Sequence, residues 1–375
     1  MAGIYIHIPF CKKACTYCNF HFSTSMKHKA PMMEAILQEI ETRKHYLEGQ
    51  TIETVYFGGG TPSILTSAEI EQIFDRLAHN FDLNGLKEVT LEANPDDLKE
   101  PFLSDLKTYT PINRLSIGVQ SFNEEELVHM NRAHSAKEAH ECIELSRKYG
   151  FDSLSIDMIY GSPWSTMEIW KYNLDMCATF DIPHISSYCL TVEEKTKLQH
   201  QIKKAEVPEP DENLASHQFE YLVSFLGQKG YEHYEISNFA KKGKYALHNT
   251  NYWRGKHYLG IGPSAHSYNG KQRQWNWANN AKYIQCIQND QPSFEIETLD
   301  DLQIYNEYVM TSLRTQWGIN LSMIQGMGDE FLAHLEKEAQ PFLHKRWIEK
   351  NHDHILLTEK GKLMADHIAS SLFMI

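Results

Sequence analysis

The first half of the chain alternates short β-type runs with longer amphipathic segments. Six runs of apolar, β-branched and aromatic residues are predicted as strands: Ile4–Ile8, Thr54–Phe57, Glu88–Ala93, Arg114–Val119, Ser153–Ile159 and His184–Leu190. Helical spacing of apolar residues predicts helices between and after them: Met32–Leu47, Ser67–Asn80, Leu98–Tyr109, Glu124–Asn131, Ala136–Tyr149 and Thr166–Thr179. Six β-α units in series predict an α/β fold with a parallel sheet, either open and doubly wound or curved into a partial barrel. Periodicity alone does not distinguish these two forms.

A different composition begins after the sixth predicted strand. Residues 193–211 are charged and contain two prolines, which predicts a connector. A helix capped by Asp211 and ended by Gly230 follows, and Tyr231–Phe239 is predicted as one strand. Residues 245–276 are rich in His, Asn, Tyr, Trp and Gly, a composition typical of a ligand-facing surface.

The last part of the chain is predicted as helix, helix, hairpin and helix, an order that resembles a winged helix. The four elements are Asp300–Arg314, Glu330–Gln340, Trp347–Leu357 and Glu359–Phe373. Acidic residues outnumber basic ones here, and the whole chain has a formal net charge of −13, which argues against nucleic acid as a partner. We therefore predict three parts: an α/β part with the parallel sheet over 1–192, a connector and ligand-facing region that completes the core over 193–292, and a small α+β, winged-helix-like accessory domain over 293–375.

Length and composition limit the class of protein further. A chain of 375 residues that is 42% hydrophobic is long enough for two or three domains with a large buried core. No apolar run approaches the roughly 18 residues of a membrane span, and a strand begins almost at the N-terminus, where a signal peptide would lie. We expect a cytoplasmic protein whose thiols stay reduced.

Three of the seven cysteines, Cys11, Cys15 and Cys18, lie close together directly after the first predicted strand. The isolated cysteines are predicted to be small buried residues: Cys142, Cys177, Cys189 and Cys286. The triplet can hold a zinc ion with His21 as fourth ligand, or a four-iron cluster with one iron left open. Unliganded redox cysteines are a third alternative. Because the triplet follows a strand of a long β-α series rather than lying in a small loop-rich module, we favour the cluster.

Glycines and polar residues recur where the following strands end. The segment Gly58-Gly-Gly-Thr-Pro62 follows the second strand, and consecutive glycines let the backbone approach a ligand closely. Glu92, Gln120 and Asp157 lie at or just beyond the ends of the next strands, and Arg132 follows in Met-Asn-Arg-Ala. The carboxyl ends of parallel strands share one edge of a sheet, so these residues predict a single binding site on the side that carries the cysteines.

Together these motifs resemble the radical S-adenosylmethionine (SAM) superfamily, and within it the group around oxygen-independent coproporphyrinogen III oxidase. The resemblance extends over nearly the whole chain and rests on Tyr5-Ile-His-Ile-Pro-Phe-Cys11, Gly-Gly-Gly-Thr-Pro and Gly-Val-Gln-Ser-Phe. It implies a partial (β/α)6 barrel in which the cysteine triplet holds a [4Fe-4S] cluster whose open iron SAM chelates. The residues that match SAM-contacting positions of the family are Tyr5, Gly59, Gly60, Thr61, Glu92, Gln120, Arg132 and Asp157.

Two departures from the oxidase indicate a subgroup. The oxidase has a further cysteine two residues past the triplet, where this chain has Phe20. The oxidase also has a long N-terminal extension, whereas ten residues precede Cys11 here. Both features are those of the heme chaperones of the HemW type.

The second region of the chain carries a further resemblance to these chaperones. His248-Asn-Thr-Asn-Tyr-Trp253 matches their HNxxYW motif, and Gly262-Pro-Ser-Ala-His266-Ser follows it. An imidazole is a common axial ligand of heme iron, and aromatic rings can cover a porphyrin face. The resemblance therefore implies heme contacts at His248, Tyr252 and Trp253, while His266 is left open between a site residue and a scaffold residue.

The function implied is that of a heme chaperone that holds a [4Fe-4S] cluster and SAM and passes heme to acceptor hemoproteins, such as membrane-associated respiratory enzymes. A cluster-dependent dimer and, if SAM is cleaved, a low-potential electron donor are further expectations. The alternative is an enzyme, an oxygen-independent coproporphyrinogen III oxidase that decarboxylates its substrate to protoporphyrinogen IX. A weaker alternative is a zinc-stabilised binding module.

Overall fold

The computed structural model describes residues 1–375 and is dominated by one sheet of twelve strands. In chain order these strands are β1 Ala2–Ile8, β2 Ile52–Gly59, β3 Glu88–Ala93, β4 Arg114–Gln120, β5 Ser153–Tyr160, β6 His184–Cys189, β7 Tyr231–Glu235, β8 Asn238–Lys241, β9 Tyr258–Ile261, β10 His266–Tyr268, β11 Gln272–Asn276 and β12 Phe294–Thr298. The helices that alternate with them are α1 Lys29–Thr42, α2 Ser67–Asn80, α3 Glu100–Tyr109, α4 Glu124–His129, α5 Ala136–Lys148, α6 Met167–Thr179, α7 Lys197–Lys203, α8 Glu212–Gln228, α9 Leu247–Trp253 and α10 Asn280–Gln288.

Strands β1 to β6 lie side by side in chain order, and every neighbouring pair is parallel. Because each crossover between parallel strands is right-handed, an order without reversal puts all the connecting helices on the same face. An open doubly wound sheet needs a point at which the order reverses, and these six strands have none. The predicted partial barrel of six β-α units is confirmed.

Six shorter strands extend this sheet on both sides. On one side β9 pairs with β1 in parallel, and β10, β11 and β12 continue the sheet in antiparallel order. On the other side β8 pairs antiparallel with β6, and β7 pairs with β8. The single strand predicted over Tyr231–Phe239 is therefore wrong, because the chain turns at Ser237, whose N–H donates to the Glu235 carboxylate (3.0 Å), and forms a hairpin.

The two faces of the barrel sheet differ in polarity. Residues such as Ile6, Phe57 and Leu91 belong to the main apolar core, together with side chains of the outer helices. Alternate residues face the barrel axis, where the strand register sets Tyr5 beside Tyr56. The inward face is mostly polar and defines what we call the polar chamber: Tyr5, His7, Thr54, Tyr56, Glu88, Thr90, Glu92, Arg114, Ser116, Ser155, Asp157, His184, Ser186 and Tyr188.

The C-terminal part has an apolar core of its own within residues 305–372. Its elements are α11 Asp301–Leu313, β13 Ile319–Asn320, α12 Leu321–Met327, α13 Asp329–His344, β14 Ile348–Asn351, β15 His354–Leu357, α14 Glu359–Lys362 and α15 Ala365–Ser371. The predicted α+β, winged-helix-like order is confirmed, with α12 added and the last helix divided in two. The three-part division at residues 192 and 292 stays a prediction; the twelve-stranded sheet crosses both boundaries, because its strand β12 begins at Phe294. None of the helices is long and apolar enough to cross a membrane.

Candidate functional site

The loop that follows β1, residues 9–25, carries the three cysteines and is here called the cysteine loop. The end of β2 holds one side of it, because the Thr61 backbone N–H donates to Phe10 O (2.7 Å) and the Thr61 hydroxyl donates to Cys11 Sγ (3.3 Å). On the other side, Thr16 N–H donates to Met130 O (3.1 Å) at the end of α4. All three thiols are half-exposed, so the loop presents them at the open end of the chamber.

The donor set in this loop fits a cluster better than a single zinc ion. Nowhere in residues 1–375 do three or more His, Cys, Asp or Glu side chains converge closely enough to hold one metal ion. A zinc ion needs its thiolates on one atom at about 2.3 Å, whereas each cysteine of a cluster binds a different iron. His21, the fourth ligand of the zinc alternative, is engaged elsewhere, since its Nε2 lies 2.7 Å from Asn280 Oδ1. Three thiols without a fourth protein ligand match a cluster with one open iron.

The three glycines at the end of β2 are required by close packing. A Cβ at Gly59, where φ is +108°, would lie 2.6 Å from the His7 ring. A Cβ at Gly60 would lie 2.6 Å from the backbone oxygen of Phe10. Real Cβ atoms do not approach other atoms this closely, so only glycine lets β2 end against the cysteine loop.

Two half-buried carboxyl groups, those of Glu92 and Asp157, lie in the chamber near this glycine segment. Glu92 accepts from Tyr56 OH (2.7 Å) and from Gly59 N–H (3.2 Å). Burial, together with the nearby Asp157 charge, raises the pKa of Glu92 to about 7 despite these hydrogen bonds. Burial also raises the pKa of Asp157 to about 6. Both acids would be stabilised in their charged form by a cation that entered the chamber.

The guanidinium of Arg132 lies between the chamber and the cysteine loop. It donates to Gly118 O (2.5 Å), Asn94 Oδ1 (2.8 Å) and Cys15 Sγ (3.2 Å). Its Nε–H is buried and has no partner. Because buried donors are nearly always paired, this N–H is suited to a ligand oxygen. The nearby Gln120 has a positive φ of 67°, at an irregularity where β4 ends.

The residues predicted as SAM contacts are brought together around one opening. A chain of contacts joins Tyr5 to Tyr56 by ring stacking (centroids 6.1 Å apart), Tyr56 to Glu92, and Glu92 to Gly59. Sequence reasoning missed Tyr56, the centre of this chain. The sequence does indicate which face of the strand Tyr56 is on, because Thr54, Tyr56 and Gly58 occupy alternate positions on one face of the second strand.

The residues predicted as heme contacts lie elsewhere. His248 and Tyr252 are on α9, beneath the chamber, and His248 is 1% exposed. Burial lowers the pKa of His248 to about 3, so its imidazole is neutral. Trp253 is half-buried beside the Arg314 guanidinium (5.5 Å to the ring centroid), and the side chain of His266 is exposed on the sheet extension.

The isolated cysteines differ from the prediction at one position in particular. Cys142 and Cys177 are fully buried on the outer helices, as predicted. Cys286 is half-buried, and Cys189 is exposed, so the prediction is wrong for Cys189. Cys189 is the last residue of β6, where the strand leaves the core.

Comparison with known proteins assigns the family. The family model of the radical SAM superfamily matches residues 5–172, and the model of the HemN C-terminal domain matches residues 299–364. The chain is 30% identical to the heme chaperone HemW of Mycobacterium tuberculosis, over 99% of this chain and 94% of that protein. The chain belongs to the HemW family. A second HemW, from Escherichia coli strain K12, is 34% identical over 70% of this chain and 69% of its own length.

A solved structure shows the fold that the HemW family shares with an enzyme. Coproporphyrinogen III oxidase (HemN) from Escherichia coli, described as a radical SAM enzyme, superposes with a TM-score of 0.86 at 25% identity. The match covers 100% of this chain and 90% of the oxidase. The fold is therefore common to HemW proteins and HemN, and it does not by itself separate a carrier from an oxidase.

Proposed function

We propose that this member of the HemW family is a heme chaperone that binds a [4Fe-4S] cluster, SAM and heme, and delivers heme to acceptor hemoproteins. The observation that carries the proposal is the cysteine loop. It presents three thiols at the open end of a polar chamber, and the position of the oxidase's further cysteine is taken by Phe20, which is 71% exposed. Similarity to chaperones named HemW along the whole chain supports the same function.

The cofactor site divides into parts with different chemistry. Cys11, Cys15 and Cys18 would hold the cluster. When bound, the cluster supplies an electron donor with one open iron, and SAM supplies the amino and carboxylate groups that chelate it. Arg132 would pair with the SAM carboxylate through its free Nε–H. The backbone groups of Gly59, Gly60 and Thr61 are proposed to contact the amino-acid end of SAM. Glu92 and Asp157 would accept hydrogen bonds from its ammonium group or ribose hydroxyls. Tyr5 and Gln120 would form the chamber walls around it.

The rival function is that of a coproporphyrinogen III oxidase, which the likeness to HemN favours. The test is to reconstitute the protein with iron and sulfide without oxygen, and then to add SAM, a reductant and coproporphyrinogen III. We expect about four irons and no stoichiometric zinc, with no protoporphyrinogen formed beyond one equivalent. Catalytic turnover would overturn the chaperone proposal in favour of the enzyme.

Heme delivery is tested by transfer. We expect the protein to bind heme, which is measured by the Soret band. It should transfer this heme to an apo-hemoprotein faster than to albumin. Release at the same rate to both would contradict a chaperone. The acceptors proposed are respiratory hemoproteins, and a cluster-dependent dimer and reductive cleavage of SAM remain expectations.

The heme contacts at His248, Tyr252 and Trp253 stay a prediction. In the structure, both ring nitrogens of His248 already have hydrogen-bond partners. Nδ1 of His248 lies 2.8 Å from Thr54 Oγ1, and Nε2 lies 2.7 Å from Tyr252 OH. To coordinate iron, the imidazole would have to give up one of these partners and become accessible. Heme titration of His248→Ala tests the contact, since a lost ligand changes the Soret spectrum.

A further inference from the structure

The HNxxYW segment forms α9, which closes the amino-terminal end of the barrel. Its first turn is held by Glu88 on β3, whose carboxylate accepts from Leu247 N–H and His248 N–H, both at 2.8 Å. A Cβ at Gly3 of β1 would lie 3.1 Å from the His248 ring, so the imidazole occupies the space above that glycine. Helix α9 is therefore seated inside the barrel and forms the floor of the polar chamber.

The His248 imidazole is fixed on three sides. One ring nitrogen is paired with Thr54 and the other with Tyr252, as given above. A neutral imidazole has one donor and one acceptor nitrogen, so both of its hydrogen-bonding groups are satisfied. Its ring also stacks on Tyr56, with centroids 5.1 Å apart and planes 25° apart.

Tyr56 connects this floor to the proposed SAM site. Its ring rests on His248 at one end, and its hydroxyl donates to Glu92 at the other. The second oxygen of Glu92 accepts from Gly59, in the glycine segment beside the cysteine loop. A shift of the His248 ring would therefore change where the Tyr56 hydroxyl points and how the Glu92 carboxylate is oriented.

We propose that His248 of the HNxxYW motif is a positioning residue for the cofactor site, and that it holds Tyr56, and through it Glu92, in place for a cationic ligand rather than ligating heme iron. The inference rests on the proposed function in one respect, namely that Glu92 contacts SAM. It places the heme ligand outside α9.

The second half of the HNxxYW motif makes contacts that also support a structural role. Tyr252 packs edge-on against Tyr258 of β9 (4.5 Å), and Asn251 donates to the buried carboxylate of Glu53 on β2 (3.2 Å). Trp253 and its neighbour Arg254 face the C-terminal domain, where Arg254 lies 4.1 Å from the Trp317 ring centroid. The motif thus joins the barrel floor to the neighbouring domain.

The test measures SAM affinity and heme affinity on the same reconstituted preparations. We expect His248→Ala and Tyr56→Phe each to weaken SAM binding about tenfold, with heme affinity and the Soret spectrum unchanged. Tyr56→Phe removes one hydroxyl and keeps the ring, so it tests the contact without opening the floor. His248→Gln, which keeps one donor and one acceptor, should restore part of the affinity. His79→Ala removes an exposed imidazole from α2 and serves as the matched control.

The pH dependence of SAM binding distinguishes a positioning role of His248 from a general loss of stability. The titratable groups that face Glu92 are Asp157, Tyr5, Tyr56, Tyr188 and Tyr252. The Tyr56 hydroxyl favours the charged form of Glu92, so its loss should move the midpoint of pH-dependent SAM binding upward. His248→Ala should move the midpoint in the same direction.

Two outcomes are decisive and distinguishable. If His248→Ala changes the Soret spectrum but leaves SAM affinity and its pH midpoint unchanged, the imidazole is a heme ligand and the positioning role is wrong. If Glu92→Gln also leaves SAM affinity unchanged, then the proposed SAM contact itself fails, whatever the role of His248.

Discussion

At the scale of single residues, Glu92 and Asp157 determine how the chamber responds to pH. Burial raises the pKa of Glu92 to about 7 and that of Asp157 to about 6, so Glu92 takes up its proton around neutrality and Asp157 about one pH unit lower. A protonated carboxyl group no longer attracts an ammonium group. We therefore expect a cation to bind in the chamber more tightly at alkaline pH than in acid.

This gives a prediction for SAM binding. Affinity should be constant above about pH 8 and fall as the pH decreases, approaching tenfold per unit near pH 6, where Glu92 takes up one proton on release, and more steeply below it, where Asp157 takes up a second. Isothermal titration calorimetry between pH 5.5 and 8.5 checks the slope. Glu92→Gln is the control, since it should bind weakly and lose the upper part of the pH dependence. An affinity that rises toward acid pH would contradict the assignment.

Individual site residues could be predicted from the sequence where a motif marks them. The cysteines, Glu92 and Arg132 stand in recognisable segments, and they lie around one opening. Tyr56 was missed because the alternation of Thr54, Tyr56 and Gly58 indicates which face of the strand it is on but not which residues it contacts. Its importance depends on the ring of His248, which is 192 residues away in the chain.

At the scale of secondary-structure elements, α1 anchors the sheet extension through one buried acid. Glu39 accepts from Gly262 N–H (2.8 Å), Tyr283 OH (2.6 Å) and Asn276 Nδ2 (2.8 Å). Its carboxylate also faces Arg43, with Nη1 at 3.5 Å from Oε1. One side chain of the outer helix layer thus holds β9, β11 and α10 in place.

We predict that Glu39→Ala lowers the free energy of unfolding by about 3–5 kcal/mol, because it leaves a buried arginine and three donors without their acceptor. Glu39→Gln should cost less, since the amide oxygen keeps part of the set. Urea unfolding measures both. Glu41→Ala, a change at an exposed position of the same helix, is the control. A loss below about 1 kcal/mol for Glu39→Ala would show that solvent reaches the site.

The elements of the barrel could be read from hydrophobic periodicity because they are long and regular. All six predicted parallel strands are present, with ends shifted by at most a few residues. The strands of the extension have three to five residues each, and their pairing depends on partners far away in the chain. Strands this short contain too few residues for a hydrophobic period to be recognised, so β9 to β12 were not predicted.

At the scale of the whole molecule, Arg314 joins the barrel to the C-terminal domain. Its Nε donates to Glu235 (3.3 Å), whose side chain is 1% exposed, and its Nη1 donates to Asp366 (2.7 Å), which is 86% exposed. Backbone hydrogen bonds from Ile236 to Arg314 O and from Gln316 to Tyr234 O lie beside it. The two apolar cores meet at a seam that contains this charged pair, and Arg273 of β11 forms a second pair across it with Glu307 of α11 (2.5 Å).

We predict that Arg314→Ala weakens the association of the two cores, because Glu235 would keep its buried charge without a counter-ion. Thermal unfolding should broaden or split into two transitions, and proteolysis near residue 300 should become faster. Asp366→Ala removes the exposed partner of the same arginine and should have almost no effect. Equal effects of the two variants would mean that the seam does not depend on the buried pair.

The arrangement of β1 has a consequence for biogenesis. This strand is synthesised before both of its neighbours, β2 and β9, and β9 ends only at Ile261. At roughly 5–20 residues per second, the second neighbour emerges roughly 10 to 50 s after the first strand. During that time the three thiols are in a loop that follows an incompletely paired strand. We therefore expect metal loading to follow synthesis and to act on a nearly complete chain.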